Sequence, residues 1–311
     1  MHRVVVDVPN IFWRTVSAHS GQYSGNSEEK AGLALHSCLV TLHKYYKKLQ
    51  PDQLAVVFEG NNNWRKSYTS SENCVSKLGY KANRIKDPSM AHLFDVLNDF
   101  KTLAENHTSI VCLQNNLVEG DDLIGGFVQY YPGDKITILS GDKDFTQLLK
   151  HENVTLLNPD KDVERTCDDP LFFMFEKCIR GDGGDNVRSS YPNVRKKRLE
   201  KAWSDPYEMT LLMNETWTKY NPQTDENETF KVKDLFEENK LLMDLEAQPE
   251  NIKLTIRDTI ENAVNNVGKF NLFAFNKFLG QHDLKAIGKN SKQFVNMFTC
   301  APVAQKGIIK F

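Results

Sequence analysis

Residues Leu117 to Leu149 constrain this chain more than any other stretch. They put Glu119, Asp121, Asp122, Asp142 and Asp144 into two tight acidic groups, with a short β-branched run, Lys135–Leu139, between them. A Pro132–Gly133 turn precedes that run, which reads as a buried strand bounded by turn residues. Glu119-Gly-Asp-Asp opens a helical apolar pattern through Leu123, Ile124, Phe127 and Val128. Ser140-Gly-Asp-Lys-Asp follows the strand directly. Each acidic group therefore marks a handover from strand to helix, and in an open α/β sheet ligands bind at the carboxyl ends of the strands. Acids also cap helix N-termini, but capping takes one or two, not this density twice. Converging carboxylates repel one another unless a hard divalent cation lies between them.

The rest of the chain supplies more acids in the same setting. Arg3-Val-Val-Val-Asp-Val reads as a buried strand interrupted by Asp7, a charge that is costly there unless paired or metal-bound. Asp7 before Pro9-Asn10 also reads as a simple strand-end turn. A polar loop, Ser17–Ser27, leads to an amphipathic helix over Glu28–Leu49. Gln53–Phe58 is a second strand ending at Glu59. Strand, helix, strand implies a right-handed parallel crossover, so Asp7 and Glu59 are expected at one sheet edge. Further strands are expected at Ser109–Leu113, leading to Glu119, and at Asn153–Leu157, with a helix over Met90–Glu105. A helix over Asp169–Ile179 ends in Arg180-Gly-Asp-Gly-Gly-Asp-Asn, which presents Asp182 and Asp185. From Pro206 onward the pattern is helical and amphipathic.

Two stretches are basic. Asn61–Pro88 is polar and almost free of acid, with Trp64, Tyr68 and Tyr80 among Arg65, Lys66, Lys77, Lys81, Arg84 and Lys86. Basic residues interleaved with aromatics suit phosphates and exposed bases; an ordinary solvated loop is the plainer alternative. Arg195-Lys-Lys-Arg198 begins a basic helix, which also reads as a solvated face. The overall balance, 39 basic against 41 acidic residues in 311, argues neither for nor against nucleic acid. The six cysteines form no C-x-x-C, which fits a reducing cytosol and opposes a thiolate zinc site. No signal peptide and no bilayer-spanning run is expected. The expected location is the cytoplasm, that of the host if the chain is from a phage, with no membrane partner and a monomeric state.

Collected, the acids are Asp7, Glu59, Glu119, Asp121, Asp122, Asp142, Asp144, Asp182 and Asp185. They are hard oxygen donors without a partnering His or Cys motif, which selects Mg²⁺ or Mn²⁺ over Zn²⁺. A set this large can hold two ions, and two ions about 4 Å apart clamp the attacking and leaving oxygens of a phosphodiester. With the basic segments beside them, the acids point to metal-dependent phosphodiester hydrolysis.

The same pieces resemble the flap endonuclease and 5′-nuclease family, and most closely its T-even bacteriophage branch, the RNase H enzymes that remove primers. They are Val4-Val-Val-Asp-Val, Val57-Phe-Glu, Tyr80-Lys-Ala-Asn-Arg84, Glu119-Gly-Asp-Asp, Ser140-Gly-Asp-Lys-Asp-Phe-Thr-Gln-Leu and Arg180-Gly-Asp-Gly-Gly-Asp-Asn-Val. Their order and spacing fit from Arg3 to Val187, and the helical remainder is similar only loosely. The resemblance implies an α/β fold, a mostly parallel central sheet flanked by helices of 5′-nuclease or PIN-like type, with a helical C-terminal lobe. It implies a nuclease domain over 1–187 that includes a basic arch at 61–88, and a DNA-binding lobe over 188–311. Asp7, Glu59, Glu119, Asp121 and Asp122 would form a first metal cluster, and Asp142, Asp144, Asp182 and Asp185 would form or flank a second. Two Mg²⁺ are implied, with Mn²⁺ able to substitute.

By the same resemblance Tyr80, Lys81 and Arg84 match the arch, with Lys81 and Arg84 three apart on a helix and aimed at the attacked phosphate. Trp64, Arg65, Lys66, Lys77, Lys86, Arg195, Lys196, Lys197 and Arg198 would touch nucleic acid. Two departures stand out. Glu59 replaces the usual Asp, and the stretch after Asp185 lacks the Gly-x-Gly hairpin of cellular members. The implied activity is that of a 5′-3′ exonuclease and flap endonuclease acting on 5′-flap, nicked or forked DNA and on RNA–DNA hybrid. A single-strand-binding protein and a sliding clamp are the partners such work suggests, and the apolar close of the chain, Ile308, Ile309 and Phe311, is a candidate clamp-binding tail. Two rivals stand beside this reading. A PIN-type ribonuclease would be much shorter and would not need the Tyr80–Arg84 arch. A non-catalytic DNA-junction-binding protein would be expected to lack some of the acids.

Overall fold

Val4, Val5 and Val6 are buried on both faces, as the centre of a parallel sheet requires. They belong to β1 (His2–Asp7) in a computed structural model that describes residues 1–18, 27–84, 87–221 and 225–300. The sheet also contains β2 (Gln53–Val57), β3 (Val111–Leu113), β4 (Lys135–Leu139), β5 (Val154–Asn158) and β6 (Val163–Arg165). Its order is β3-β2-β1-β4-β5-β6. The first five strands run parallel and β6 returns antiparallel to β5. The expected mostly parallel sheet is therefore present. β6 was not expected, since its three largely exposed residues carry no apolar alternation.

Register brings the acidic strand ends level. Asp7 pairs with Val57 and Val6 with Leu139, so Glu59 and Ser140 each follow within two residues of the row that Asp7 closes. The order reverses around β1, the position where open α/β sheets bind ligands.

The sheet belongs to the first of two compact units, drawn from residues up to 61, from 86 to 166 and from 253 onward. Helix Ser27–Leu49 buries Ala31, Ala34, Leu35, Cys38, Leu39, Leu42 and Tyr45, and helix Ala91–His107 buries Leu93, Val96, Leu97, Phe100, Leu103 and Ala104. Both sets follow the three-and-four spacing of a one-faced helix. Phe275, Phe278, Leu279, Phe294, Met297 and Phe298, from the C-terminal helices, complete the same core. Helix Val8–Ala18 starts directly after Asp7, where a strand-end turn was the alternative reading; Pro9 is tolerated because the first helical turn needs no N–H from it.

The second unit comprises residues 62–85 and 167–252. Helices Pro170–Arg180, Lys196–Ser204, Pro206–Asn214 and Val232–Met243 surround Phe175, Ile179, Val194, Leu199, Ala202, Leu212 and Val232. The helical text expected after Pro206 is broken by an antiparallel hairpin, β7 (Thr216–Asn221) and β8 (Glu226–Lys231). Thr216, Thr218, Tyr220 and Thr229 favour strand over helix, while Trp217 packs tilted against Phe230, ring centroids 5.1 Å apart.

Among the described residues no helix is long and apolar enough to cross a membrane. All six cysteines are free thiols.

Candidate functional site

Asp7 ends β1 and caps the helix that follows, Oδ1 accepting from the Asn10 N–H at 3.1 Å. Its other oxygen accepts from the Ser140 hydroxyl at 2.8 Å. That hydroxyl in turn accepts from the Asp142 N–H at 3.0 Å, and Asp142 Oδ1 accepts from the Asp144 N–H at 2.8 Å. Burial pushes the Asp7 carboxyl up to about 6; the two hydrogen bonds oppose the rise and the Asp142 charge adds to it.

Glu59 reaches across from the end of β2 and accepts from the Gly120 N–H at 3.0 Å. It thereby helps to cap helix Gly120–Tyr130, whose N-terminus is also closed by a capping box between Glu119 and Asp122. The bland capping role thus does hold for Glu59, Glu119 and Asp122. It leaves Asp121. Burial first, and then the charges of Glu59, Asp7, Asp142 and Glu119, hold the Asp121 carboxyl well above the usual range. Six of the nine predicted acids therefore share one electrostatic neighbourhood in the first unit: these five and Asp122, with Asp144 bonded to Asp142 beside them. Such crowding is relieved by protons or by a cation.

The donor set fits a hard divalent ion in its chemistry. In spacing it is open: among the described residues no three carboxylate, imidazole or thiol groups are placed to hold an ion by themselves. That is the arrangement Mg²⁺ tolerates best, since it keeps several waters and takes only one or two carboxylates together with substrate phosphate.

Sequence reasoning missed Ser140, Asn10 and Arg14. Asn10 Oδ1 accepts from the Gly141 N–H at 3.0 Å. The Arg14 guanidinium packs over Gly141 so closely that a Cβ there would collide with it, and its NH2 pairs with Asp160 at 2.6 Å. A helix read from Val8 would have revealed Asn10 and Arg14 four apart on one face; the Pro9-Asn10 turn signal hid it.

In the second unit, Tyr80, Lys81 and Arg84 are brought together with Asp185. The Tyr80 hydroxyl donates to Asp185 Oδ2 at 2.8 Å, Arg84 NH2 pairs with Oδ1 at 2.6 Å, and Lys81 Nζ lies 3.8 Å from Oδ2. The expected helix through Lys81 and Arg84 is corrected: Lys81 has φ +54° and the segment is a turn, closed by Ala82 N–H to Gly79 O and Arg84 N–H to Lys81 O. A lysine in the left-handed region ends helical geometry. Convergence comes from the turn instead. Asp182 accepts from the Gly184 and Asp185 N–H groups and pairs with Lys177 at 3.4 Å. Burial works against its charge, but Lys177 and those N–H groups outweigh it and hold the carboxyl below its usual range.

The basic segment proves mixed. Lys66 and Lys77 are exposed. Trp64 and Arg65 are not: Arg65 is 1% exposed, donates through Nε to Leu242 O at 2.6 Å, and lies 4.7 Å from the Trp64 ring and 5.8 Å from the Tyr80 ring. Their expected contact with nucleic acid is corrected to a packing role, because the Leu242 carbonyl and two rings satisfy the guanidinium inside the unit. Buried Glu238, also unforeseen, holds the Ser76 N–H at 3.0 Å and that of Val75. Arg195, Lys196, Lys197 and Arg198 are exposed, and Arg198 pairs with Glu215 and bonds the Tyr191 hydroxyl. Lys86 and the tail Gln305–Phe311 lie outside the described residues.

A family model described as the 5′-3′ exonuclease, N-terminal resolvase-like domain, matches residues 2–174. No curated protein matches the chain by sequence. Among solved structures, the bacteriophage T5 protein co-crystallised with metal ions aligns with a TM-score of 0.58 at 17% identity, covering 85% of this chain and 97% of that one. The T5 flap endonuclease in a pseudo-enzyme–product complex with DNA and metal ions gives 0.57 at 18%, covering 85% and 99%. The T5 5′-exonuclease with bound zinc gives 0.52 at 18%, covering 91% and 99%. At such identities the likeness is one of fold.

Proposed function

This chain belongs to the 5′-3′ exonuclease family defined by the N-terminal resolvase-like domain, and from that premise we propose that it is a divalent-metal-dependent 5′-3′ exonuclease and flap endonuclease. Its substrates in this reading are 5′-flap, nicked or forked DNA and RNA–DNA hybrid, cut at single-strand/duplex junctions, so that RNA primers and flaps are removed during phage replication. Kinship to the T-even RNase H branch is part of the proposal and rests on the motifs quoted above. So is the division of labour, nuclease over 1–187 and DNA binding over 188–311.

The observation that carries the reading is the elevated Asp121 carboxyl, surrounded by Glu59, Asp7, Asp142 and Glu119 at neighbouring strand ends. Crowded charge of this kind has a use when cations and a phosphate arrive together. Asp7, Glu59, Glu119, Asp121, Asp122, Asp142 and Asp144 would hold two Mg²⁺, with Asp182 and Asp185 forming or flanking the second site, and Mn²⁺ can substitute. The bound ions would supply a water of lowered pKa and offset charge on the phosphate. Ser140 fixes the Asp7 oxygen that faces β4, and Glu59 fixes the start of helix Gly120–Tyr130. Lys81 and Arg84 would take the attacked phosphate, with Tyr80 orienting them through Asp185. Lys66, Lys77, Lys86 and Arg195–Arg198 would follow the backbone of the strand. A monomer working in the host cytoplasm with a single-strand-binding protein and a sliding clamp completes the proposal.

The test is direct. The protein is incubated with Mg²⁺ and a 5′-labelled flap, a nicked duplex or an RNA–DNA hybrid, and product lengths are read. Short 5′ products that vanish in EDTA are expected. Cleavage of single-stranded RNA alone would favour a PIN-type ribonuclease, and tight junction binding without products a non-catalytic binder.

A further inference from the structure

β3 is the last strand on its side of the sheet. The Phe58 N–H donates to Leu113 O at 2.9 Å, so Leu113 and Val111 turn their backbone groups toward β2. Alternation along the strand turns the Cys112 N–H and C=O to the outer edge, where no group among the described residues meets them. That edge is recessed. Helix Ala91–His107 flanks it with Glu105, and helix Glu250–Asn265 with the segment after it flanks it with Thr255, Asp258, Thr259, Asn262 and Asn266. Between them lie two adjoining cavities of about 130 Å³ and about 450 Å³, both bordered by Gln114, Thr259 and Asn262, and Cys112 lines the smaller. Asn115 Nδ2 donates to Thr259 Oγ1 at 2.8 Å and fixes the spacing of strand end and helix. All of these residues belong to the first unit.

The groove has the chemistry that a peptide backbone needs. Its walls are amides and hydroxyls, which offer donors and acceptors side by side. Asn266 Nδ2 donates to Asn262 O at 3.0 Å and to its Oδ1 at 2.7 Å. That leaves the Asn262 amide nitrogen and the Asn266 amide oxygen without a partner among the described residues. A strand edge with unmet N–H and C=O groups is a template for another strand, and an extended peptide adds to such an edge through its main chain.

Charge narrows the choice of occupant. Glu105 and Asp258 are exposed and carry no ion pair among the described residues, while Lys101 is engaged, donating to Gln114 Oε1 at 3.2 Å. Two such carboxylates attract Lys or Arg and repel phosphate. Glu105 borders the cavity that Ile110 lines, and Asp258 the one that Gln114 lines. From Ile110 to Gln114 a strand advances about 13 Å, so matching cations lie about four residues apart. The described end of this chain runs the other way. Phe298 O accepts from the Ser109 N–H at the foot of β3, and Cys300 Sγ donates to Pro51 O at 3.5 Å, ahead of β2.

We propose that the outer edge of β3 is a docking groove for an extended basic segment of a partner protein. The segment pairs its backbone with Cys112 and sets its Lys or Arg side chains against Glu105 and Asp258. None of the candidate metal-binding acids lines the groove.

The experiment titrates a capped peptide, Lys-Val-Thr-Val-Lys, into the full chain and reads backbone hydrogen exchange residue by residue. In the free protein the Cys112 N–H should exchange faster than those of Val111 and Leu113. With peptide at about ten times its dissociation constant, exchange at Cys112 should slow by about tenfold. A fully N-methylated copy keeps the charges and loses the N–H groups, and it should bind about tenfold more weakly, the loss of one or two hydrogen bonds. Glu105→Lys and Asp258→Lys should each weaken the basic peptide by about fivefold, the size of one exposed ion pair, and strengthen a Glu-Val-Thr-Val-Glu peptide. Equal binding of the N-methylated copy overturns the proposal, as does protection that spares Cys112 or no binding of the basic peptide at millimolar concentration. Binding that appears only after deletion of residues 301–311 overturns it too, since the groove would then belong to the chain's own tail.

Discussion

The Ser140 hydroxyl donates to Asp7 Oδ2 at 2.8 Å across 133 residues of chain. One hydroxyl thereby ties the end of β1 to the loop after β4, because it also accepts from the Asp142 N–H. The bond only partly offsets the burial that lifts the Asp7 carboxyl to about 6.

That lift predicts a pH dependence. An unfolded Asp titrates near ~3.9, so between there and about 6 folded Asp7 holds a proton that the unfolded chain has released. The folded state binds more protons in this window, and Asp7 therefore makes stability fall as pH rises through it. Cations compete with the same proton, so metal binding should strengthen as pH rises through about 6. Melting curves in EDTA for wild type and Asp7→Asn check the sign: the variant should gain on wild type as pH rises across the window. A gap that narrows instead would contradict the buried, protonated Asp7.

Glu59 stands where the resemblance to the 5′-nucleases implies an Asp, and its extra methylene has a visible use. Its Oε2 reaches the Gly120 N–H at 3.0 Å at the start of helix Gly120–Tyr130. Glu59→Asp should fall short of that N–H and cost about 1 kcal/mol of capping, or a drop in Tm of about 2–4 °C for a unit of this size. Glu59→Gln keeps the reach and removes a charge that presses on Asp121, so metal-free Tm should hold or rise while Mg²⁺ stabilisation weakens. Calorimetry with and without Mg²⁺ separates the two variants.

Asp7 and Glu59 show what was legible in the sequence. Strand, helix, strand in one parallel sheet leaves one edge for both, and a β-branched run between turn residues has few other fates. The carboxylate neighbourhood of the first unit followed from that alone. What stayed hidden was decided by burial. Trp64 and Arg65 have the composition of a phosphate-binding surface, yet a carbonyl from Leu242 and two rings draw the guanidinium inside. Lys81 looked helical by spacing, but a backbone bond to Asp185, 104 positions on by sequence number, fixes a turn that no local pattern encodes. The β7–β8 hairpin was overlooked because amphipathic helices on both sides set the expected period.

Arg14 is the cation that the sequence reading passed over. It leans on Gly141 beside Asp142 and pairs with Asp160 while 41% exposed. An exposed pair of this kind contributes about 0–1 kcal/mol to stability, so Arg14→Ala should barely change Tm. If the guanidinium meets a substrate phosphate, the salt slope of DNA binding should fall by about one unit. Gly141→Ala drives its Cβ into the same guanidinium and should reproduce the slope change with Arg14 still present. Slopes unchanged in both variants would leave Arg14 as a strut for Asp160.

Lys81→Ala and Arg84→Ala ask whether the arch cations stabilise the transition state or merely attract DNA. Each should lower the single-turnover rate by at least about tenfold, about 1.4 kcal/mol of barrier, with a smaller loss of affinity. Arg84 is the more exposed and the better paired of the two, at 2.6 Å against 3.8 Å from Asp185. Its removal should also free the Asp185 carboxylate more than removal of Lys81 does. Rates unchanged with affinity reduced would make both residues electrostatic attraction alone.

The last expectation concerns Arg195, Lys196, Lys197 and Arg198 at the start of helix Lys196–Ser204. Duplex DNA releases counterions in proportion to the phosphates neutralised, and each contact contributes about −0.9 to the slope of log K against log salt. The four residues are not equivalent. Arg198 is paired with Glu215 and donates to the Tyr191 hydroxyl, so moving to a phosphate would give up contacts already made. Arg195, Lys196 and Lys197 are exposed, and no ion pair competes for them among the described residues. Replacing those three with Ala should make the slope shallower by about 2.7 units, while Arg198→Ala alone should change the slope little and cost stability through the lost contacts. Binding isotherms of a flap DNA between low and moderate salt, with Ca²⁺ in place of Mg²⁺ to withhold cleavage, read both quantities. An equal slope change from Arg198→Ala would mean that the pair with Glu215 opens for DNA, and no change in the triple variant would return this helix to a plain solvated face.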